Sequence, residues 1–343
     1  MLAARLHAPG EPLSLEQVPL PEPVGTEVRV RVAGCGVCRT DLLIASGETT
    51  RVELPLTLGH EIAGRIDAAG AEAGPFLQDA GLSHDEAVVV FGGWGCGVCG
   101  ECRTGQEQRC PYGRSPGFQV DGGYAEAVLV PHPRHLVPLE GLDPVHAAPL
   151  ADAGVTSYRA VARAEPWLVN GGRVLVIGLG GLGQFAVQYL RQRNGVRIGA
   201  VEPNAMRRQL ADSLGADVAL ADAKPASVRE ALGGDPDVVF DFVGSDVTIG
   251  QASAIVAPGG LVMLVGEAGG HARFGFDTPL ESWLTMTAWG SLGDLRDVVA
   301  IAQRGGVQWA TETMPLADAQ DALARLAAGT VAGRIVLLPV RTA

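Results

Sequence analysis

The sequence predicts an α/β protein in which a doubly wound parallel sheet is joined to a second, mainly β domain. Three observations carry that expectation. From about residue 173 onward, apolar β-branched runs alternate with helical stretches, the order of parallel strands linked by crossover helices. The first 150 residues are instead rich in proline and glycine and contain short runs of period two. At 343 residues the chain also exceeds the ~250–300 at which a single core usually stops growing.

Taken in order, "EVRVRV" sets Val28, Val30 and Val32 on one face and Arg29 and Arg31 on the other, the mark of a half-buried strand. Further on, "RVLVIGLG", "RIGAVE", "DVVFDFVG" and "GGLVMLVG" read as strands, and "QFAVQYLRQR", "NAMRRQLADSLG" and "SDVTIGQASAIVA" as the helices between and after them. "GGLVMLVG" is read as an edge strand able to pair across a two-fold axis. After residue 290 come two helical stretches, "LRDVVAIAQRG" and "LADAQDALARLAAG", and a last strand, "GRIVLLPV".

Composition narrows the function classes. Twenty-six basic and 38 acidic residues give a net charge of −12, which opposes binding to nucleic acid or to anionic membranes. The opening "MLAARLHAPGEPL" lacks the apolar stretch of about 7–15 residues that a signal peptide needs, and no apolar run is long enough to span a bilayer. The expectation is a cytoplasmic protein that binds neither nucleic acid nor membrane.

Gly178, Gly180 and Gly183 form G-x-G-x-x-G between the strand "VLVI" and a helix, with Gly181 and Leu182 completing the turn. In that context the pattern specifies a tight turn, close backbone approach to a pyrophosphate, and a helix N-terminus aimed at the charge. The plain alternative is a strand-to-helix turn whose glycines serve packing alone. Glu202 ends the next strand, where a carboxylate would accept from an adenosine ribose and repel the 2′-phosphate of NADP, which favours NAD. Arg207 and Arg208 follow and could soften that repulsion; a solvated strand end is the other reading of Glu202.

All six cysteines lie in the first third of the chain. In a cytosolic chain such clustering points to metal rather than disulfides. Cys96, Cys99, Cys102 and Cys110 follow the spacing C-x2-C-x2-C-x7-C in a lobe spanning residues 92–112. Four thiolates from one glycine-rich loop suit a closed tetrahedral zinc site; on these residues alone an iron–sulfur cluster is the rival. A second set of donors is scattered: Cys38 in "GVCRTD", His60 and Glu61 in "GHE", and Asp152 in "PLADAGVTSY". Thiolate, imidazole and carboxylate are all zinc ligands, and three protein ligands with an open position describe a catalytic site. Asp152 could also cap the helix that follows it, and one residue can sit at a helix start and still face a metal.

In combination, "GVCRTD", "LTLGHE", the four-cysteine lobe and "GLGGLG", in that order, resemble the zinc-dependent alcohol dehydrogenases of the medium-chain dehydrogenase/reductase family, closest in pattern to bacterial secondary-alcohol dehydrogenases. The resemblance covers the whole chain. It implies a GroES-like catalytic domain over residues 1–152 and 289–343, a Rossmann NAD-binding domain over residues 153–288, two zinc ions per chain, and a homotetramer or dimer. The implied reaction is reversible hydride transfer between an alcohol, secondary or aryl, and the nicotinamide of NAD(H). Polyol, sugar or threonine dehydrogenases share these motifs, and a non-catalytic NAD(H)-binding protein would bind without turnover.

The same resemblance assigns further residues. Cys38, His60 and Asp152 would hold the catalytic zinc, Asp152 standing where the family's usual site has a second cysteine. One carboxylate for one thiolate keeps the charge of the ligand set and makes it harder. Thr40 would place a hydroxyl beside the substrate oxygen, Asp41 would accept the free N–H of His60, and Glu61 would adjoin the metal. Arg39 and Arg334 match positions near the cofactor pyrophosphate, and Arg207 one near the adenosine. Leu43 stands where many members have the histidine that ends the proton relay. Gly92 and Gly93 are expected to leave room in the substrate pocket, with Trp94, Trp283 and Trp289 as candidate walls.

Overall fold

The computed structural model describes residues 1–49, 52–168, 171–193, 195–273 and 275–339. The chain divides into two compact units, one of Met1–Val155, Gly290–Gly305 and Ala310–Ala343, the other of Thr156–Trp289 and Gly306–Trp309.

The first unit is built on a seven-stranded sheet. Its central strand, Val28–Gly36, pairs antiparallel with Glu61–Ala69, Ala127–Val130 and Arg334–Leu338. Period two explains it. Val28, Val30 and Val32 are buried, while Arg29 and Arg31 turn to the opposite face and pair with Asp67 at 2.7 Å and Asp85 at 2.9 Å. Each buried valine contributes about 1.5–3 kcal/mol of burial free energy. The strand Thr311–Pro315, which the sequence did not signal, joins parallel to Arg334–Leu338. A smaller sheet orders Ser14–Gln17, Leu2–Leu6 and Leu56–Thr57. The helix Arg39–Ser46 starts at Cys38, whose N–H is accepted by the Asp41 carboxylate, and stops at Gly47 with φ 81°.

The second unit is a six-stranded parallel sheet in the order Val218–Leu220, Arg197–Val201, Arg173–Ile177, Val238–Asp241, Leu261–Leu264, Trp283–Met286. That is the doubly wound order of the dinucleotide-binding fold, reversing direction beside Arg173–Ile177. Two expectations need correction. "GGLVMLVG" is not an edge strand, because Leu261–Leu264 is flanked by Val238–Asp241 and by Trp283–Met286. "NAMRRQLADSLG" is not one helix: Leu210 donates to Arg207 three residues back instead of four, and the segment splits into Ala205–Arg208 and Ala211–Leu214. Among the described residues no helix is long and apolar enough to cross a membrane.

Candidate active site

Three separated segments of the first unit converge on one point. Cys38 precedes the helix Arg39–Ser46, His60 precedes the strand Glu61–Ala69, and Asp152 follows a 3-10 turn at Ala148–Ala151. Asp152 Oδ2 lies 3.4 Å from Cys38 Sγ and 3.6 Å from His60 Nε2. Donors of a tetrahedral zinc at 2.0–2.3 Å stand about 3.5 Å apart, so the three fit a shared ion. With Glu61, their ligand atoms all lie within 4.8 Å of one another.

The surroundings of this cluster are polar and mostly buried, Asp152 being partly exposed. Asp41, 0% exposed, accepts from Cys38 N–H at 2.8 Å and Tyr124 O–H at 2.9 Å through Oδ2, while Oδ1 stands 3.4 Å from His60 Nδ1. Burial pushes the His60 imidazolium down, but Asp41, then Asp152 and Cys38, outweigh it and hold its pKa well above the usual histidine range. Burial, reinforced by Asp152, pushes the Cys38 thiol up. Metal binding at such a site is coupled to loss of protons from the thiol and the imidazole.

Glu61 sits behind the ligands, 0% exposed, and one of its oxygens accepts from the Arg334 guanidinium, itself 5% exposed. The other oxygen, Oε2, has no hydrogen-bond partner among the described residues. Gly36 makes room for it, since a Cβ there would lie 1.9 Å from Oε2. Burial pushes the Glu61 carboxyl up to about 7, against the pull of Arg334. An unsatisfied buried carboxylate oxygen beside a thiol, an imidazole and a second carboxylate is a donor set suited to a divalent cation.

Thr40 Oγ1 lies 3.7 Å from Cys38 Sγ, at the edge of the cluster. Arg39 is exposed at the helix start. Arg334, expected beside a cofactor pyrophosphate, has its guanidinium on Glu61. Trp94 is buried, its indole N–H donating to Phe91 O at 2.6 Å, and Trp283 is 61% exposed on the outer strand of the second unit.

The four cysteines of the lobe also form one cluster. Sγ–Sγ distances are 3.5 Å for Cys99–Cys102, 3.7 Å for Cys99–Cys110 and 4.0 Å for Cys96–Cys102. Four sulfurs at 2.3 Å from one zinc stand about 3.8 Å apart. The Val98 and Cys99 amides donate to Cys96 and hold its thiol down at about 6, so this ligand is ready to bind as thiolate. Arg134 ties the lobe to the sheet by donating to Gly95 O at 2.7 Å.

In the second unit each glycine of the loop has its own reason. Gly178 has φ 92°, a Cβ on Gly183 would lie 1.8 Å from Gly178 O, and Gly180 has nothing within 4 Å. The loop is therefore tight at both ends and open in the middle, at the start of the helix Gly183–Arg191. Gly181 and Leu182 complete the turn, Leu182 holding Ser157 Oγ at 2.8 Å through its carbonyl. Glu202 is 3% exposed, so it is not a solvated strand end. Its carboxylate accepts from Leu179 N at 3.0 Å, Asn204 N at 2.9 Å and Arg207 at 3.2 Å. Two carboxylate oxygens have about four acceptor sites, which leaves capacity for one more donor.

Residues 25–141 match the family described as Alcohol dehydrogenase GroES-like domain, and residues 181–329 match Zinc-binding dehydrogenase. The chain belongs to the zinc-binding alcohol dehydrogenase family. Its members include a D-arabinose 1-dehydrogenase (NADP(+)) of Saccharolobus solfataricus, 36% identical over 98% of this chain and 97% of that one. An NAD-dependent alcohol dehydrogenase of Sulfurisphaera tokodaii is 35% identical over 99% of this chain and 100% of its own. The crystal structure of the Aeropyrum pernix alcohol dehydrogenase superposes with TM-score 0.91, at 34% identity over 99% and 100% of the two chains.

Against this family background, the sequence reading missed Tyr124. Its phenol is fully buried on Asp41, yet in "DGGYAEAV" it reads as a residue after a turn. The pairing of Glu61 with Arg334 was likewise invisible, since 273 residues separate the partners.

Proposed function

We propose that this chain is a zinc-dependent, NAD(H)-linked alcohol dehydrogenase and carbonyl reductase acting on small secondary or aryl alcohols. The observation that carries the reading is the convergence of Cys38 Sγ, His60 Nε2 and Asp152 Oδ2 at tetrahedral spacing. The glycine loop in the same chain has the form that receives a dinucleotide. Zinc held by those three side chains would supply Lewis acidity toward an alcohol or carbonyl oxygen, and a second zinc would close the Cys96, Cys99, Cys102, Cys110 lobe. NAD(H) would accept or give the hydride.

The protein's own groups orient and desolvate. Asp41 fixes the His60 ring so that Nε2 faces Asp152. Thr40 holds a hydroxyl beside the cluster, placed to take the proton an alcohol loses. Leu43 offers no side chain to relay that proton, so Thr40 would pass it to solvent. Glu61, restrained by Arg334, keeps a carboxylate oxygen near the other three ligand atoms and would be a further donor to the ion. Gly178, Gly180, Gly181, Leu182 and Gly183 would wrap the pyrophosphate, whereas the Arg334 guanidinium is engaged by Glu61. Glu202 would take the adenosine ribose, and Arg207 would lie at its side; the carboxylate favours NAD over NADP.

We also place the enzyme in the cytoplasm, as a homo-oligomer. All six cysteines are free thiols, four of them grouped as metal donors. The outer strand Trp283–Met286 exposes Trp283 by 61% and Met286 by 63%, an apolar edge suited to pairing with a second copy.

A sugar dehydrogenase is the second reading, favoured by the similarity to the D-arabinose enzyme. One assay decides. Reduced-nicotinamide absorbance is followed over a panel of secondary and aryl alcohols, polyols, threonine and aldoses, with NAD and with NADP. The proposal expects turnover on apolar alcohols with NAD; preference for aldoses supports the second reading, and NADH binding without turnover on any of them overturns both.

A further inference from the structure

We propose that Tyr124 is a positioning residue of the metal centre, whose hydroxyl fixes the Asp41 carboxylate that aligns His60. The proposal rests on the reading of Cys38, His60 and Asp152 as metal ligands.

Tyr124 is 0% exposed and donates to Asp41 Oδ2 at 2.9 Å. The same oxygen accepts the Cys38 N–H at 2.8 Å. Two donors on Oδ2 stop the carboxylate from rotating and leave Oδ1 to face His60 Nδ1 at 3.4 Å. With a metal bound, that contact would favour the tautomer with the proton on Nδ1 and the lone pair on Nε2, the atom that looks toward Asp152 at 3.6 Å.

Tyr124 also brackets His60 through the backbone. Its N–H donates to Leu58 O at 2.9 Å, and Gly123 N–H to Gly59 O at 2.8 Å. Gly59 has φ 93°, and a Cβ there would lie 2.4 Å from the Tyr124 ring. The ring is thus set against the peptide just before the ligand, with its hydroxyl on the ligand's carboxylate partner. A phenylalanine would keep the ring, its packing and the backbone bonds, and remove only the second donor. The hydroxyl's effect is therefore separable from the fold.

The experiment measures zinc dissociation constants on the full-length holoprotein by competition with a chromophoric chelator. The four-cysteine lobe serves as an internal reference, and thermal melting is recorded in parallel. Wild-type protein is expected to hold two zinc equivalents. In Tyr124→Phe the zinc of the Cys38, His60, Asp152 site should weaken by up to ~10-fold, the lower end of the range for losing a partner bonded directly to a ligand, with the lobe zinc unchanged. In an Asp41→Ala background the same substitution should add less than ~2-fold, because the hydroxyl acts through Asp41. Cobalt substituted at the site should show a shifted ligand-field spectrum in Tyr124→Phe, which a purely structural role would not produce. The proposal is overturned if Tyr124→Phe holds both zincs as wild type does, if both sites weaken alike, or if the loss is equally large without Asp41. A wild-type chain that holds only the lobe zinc overturns the metal reading itself, a result distinct from these three.

Discussion

Two alanine substitutions in the glycine loop separate packing from ligand approach. At Gly183 the added methyl would stand 1.8 Å from Gly178 O and 2.9 Å from Gly178 C, both backbone atoms that cannot rotate away. Ordinary carbon–oxygen contact begins near 3.4 Å, so helix and loop must part by about 1.5 Å. Overpacking of that kind costs about 1–3 kcal/mol, and the gain in helix propensity from glycine to alanine returns at most about 1 kcal/mol. Gly183→Ala should therefore lower the melting temperature of the second unit. It should also weaken NADH binding, because the amides that would meet the pyrophosphate are displaced. At Gly180 nothing lies within 4 Å, so alanine is free for the fold. Its methyl would instead occupy the space a pyrophosphate needs, and NADH affinity should fall while melting stays within about 1 °C. NADH titration by fluorescence and thermal melting read both effects. If Gly180→Ala binds NADH as wild type does, the loop does not cradle a dinucleotide and the reasoning fails.

Three further outcomes are expected. Arg334→Met leaves the buried Glu61 carboxylate without its cation and should cost about 3–5 kcal/mol in chemical denaturation. Adding Glu61→Leu should restore most of that, and a double variant no more stable than the single one would count against the pair. Glu202→Ala removes the acceptor expected for the ribose, with hydrogen bonds to charged groups each contributing about 1.5–3 kcal/mol. NADH affinity should drop at least ~10-fold and the NADPH-to-NADH preference should rise; an unchanged ratio places the cofactor elsewhere. Cys110→Ser should leave one zinc per chain by elemental analysis and lower the melting temperature, and two retained zincs with unchanged melting would show that Cys110 does not hold a lobe metal.

The parts of the molecule that could be read from sequence are those whose logic is local. Gly178, Gly180 and Gly183 lie within six residues of chain, and the lobe cysteines within fifteen, so spacing alone carries them. The strand Val28–Gly36 was legible because one face is apolar and the other charged. Convergence is not local. Cys38, His60 and Asp152 meet only because the fold brings three separated segments together, and a family pattern, not spacing, joined them. Tyr124 and the Glu61–Arg334 pair needed the folded chain for the same reason. The outer strand Trp283–Met286 escaped because four residues, half of them exposed, show no periodicity. Its absence from the reading made Leu261–Leu264 look like the sheet edge.

The central claim is a divalent ion held by sulfur, nitrogen and oxygen from three segments. Anomalous diffraction at the zinc edge from crystals of the protein as purified tests it most directly. The account predicts a peak within about 2.0–2.3 Å of Cys38 Sγ, His60 Nε2 and an Asp152 carboxylate oxygen, besides one among the four lobe cysteines. A single peak at the lobe, or a peak at Cys38 and His60 with the Asp152 carboxylate turned aside, would contradict it.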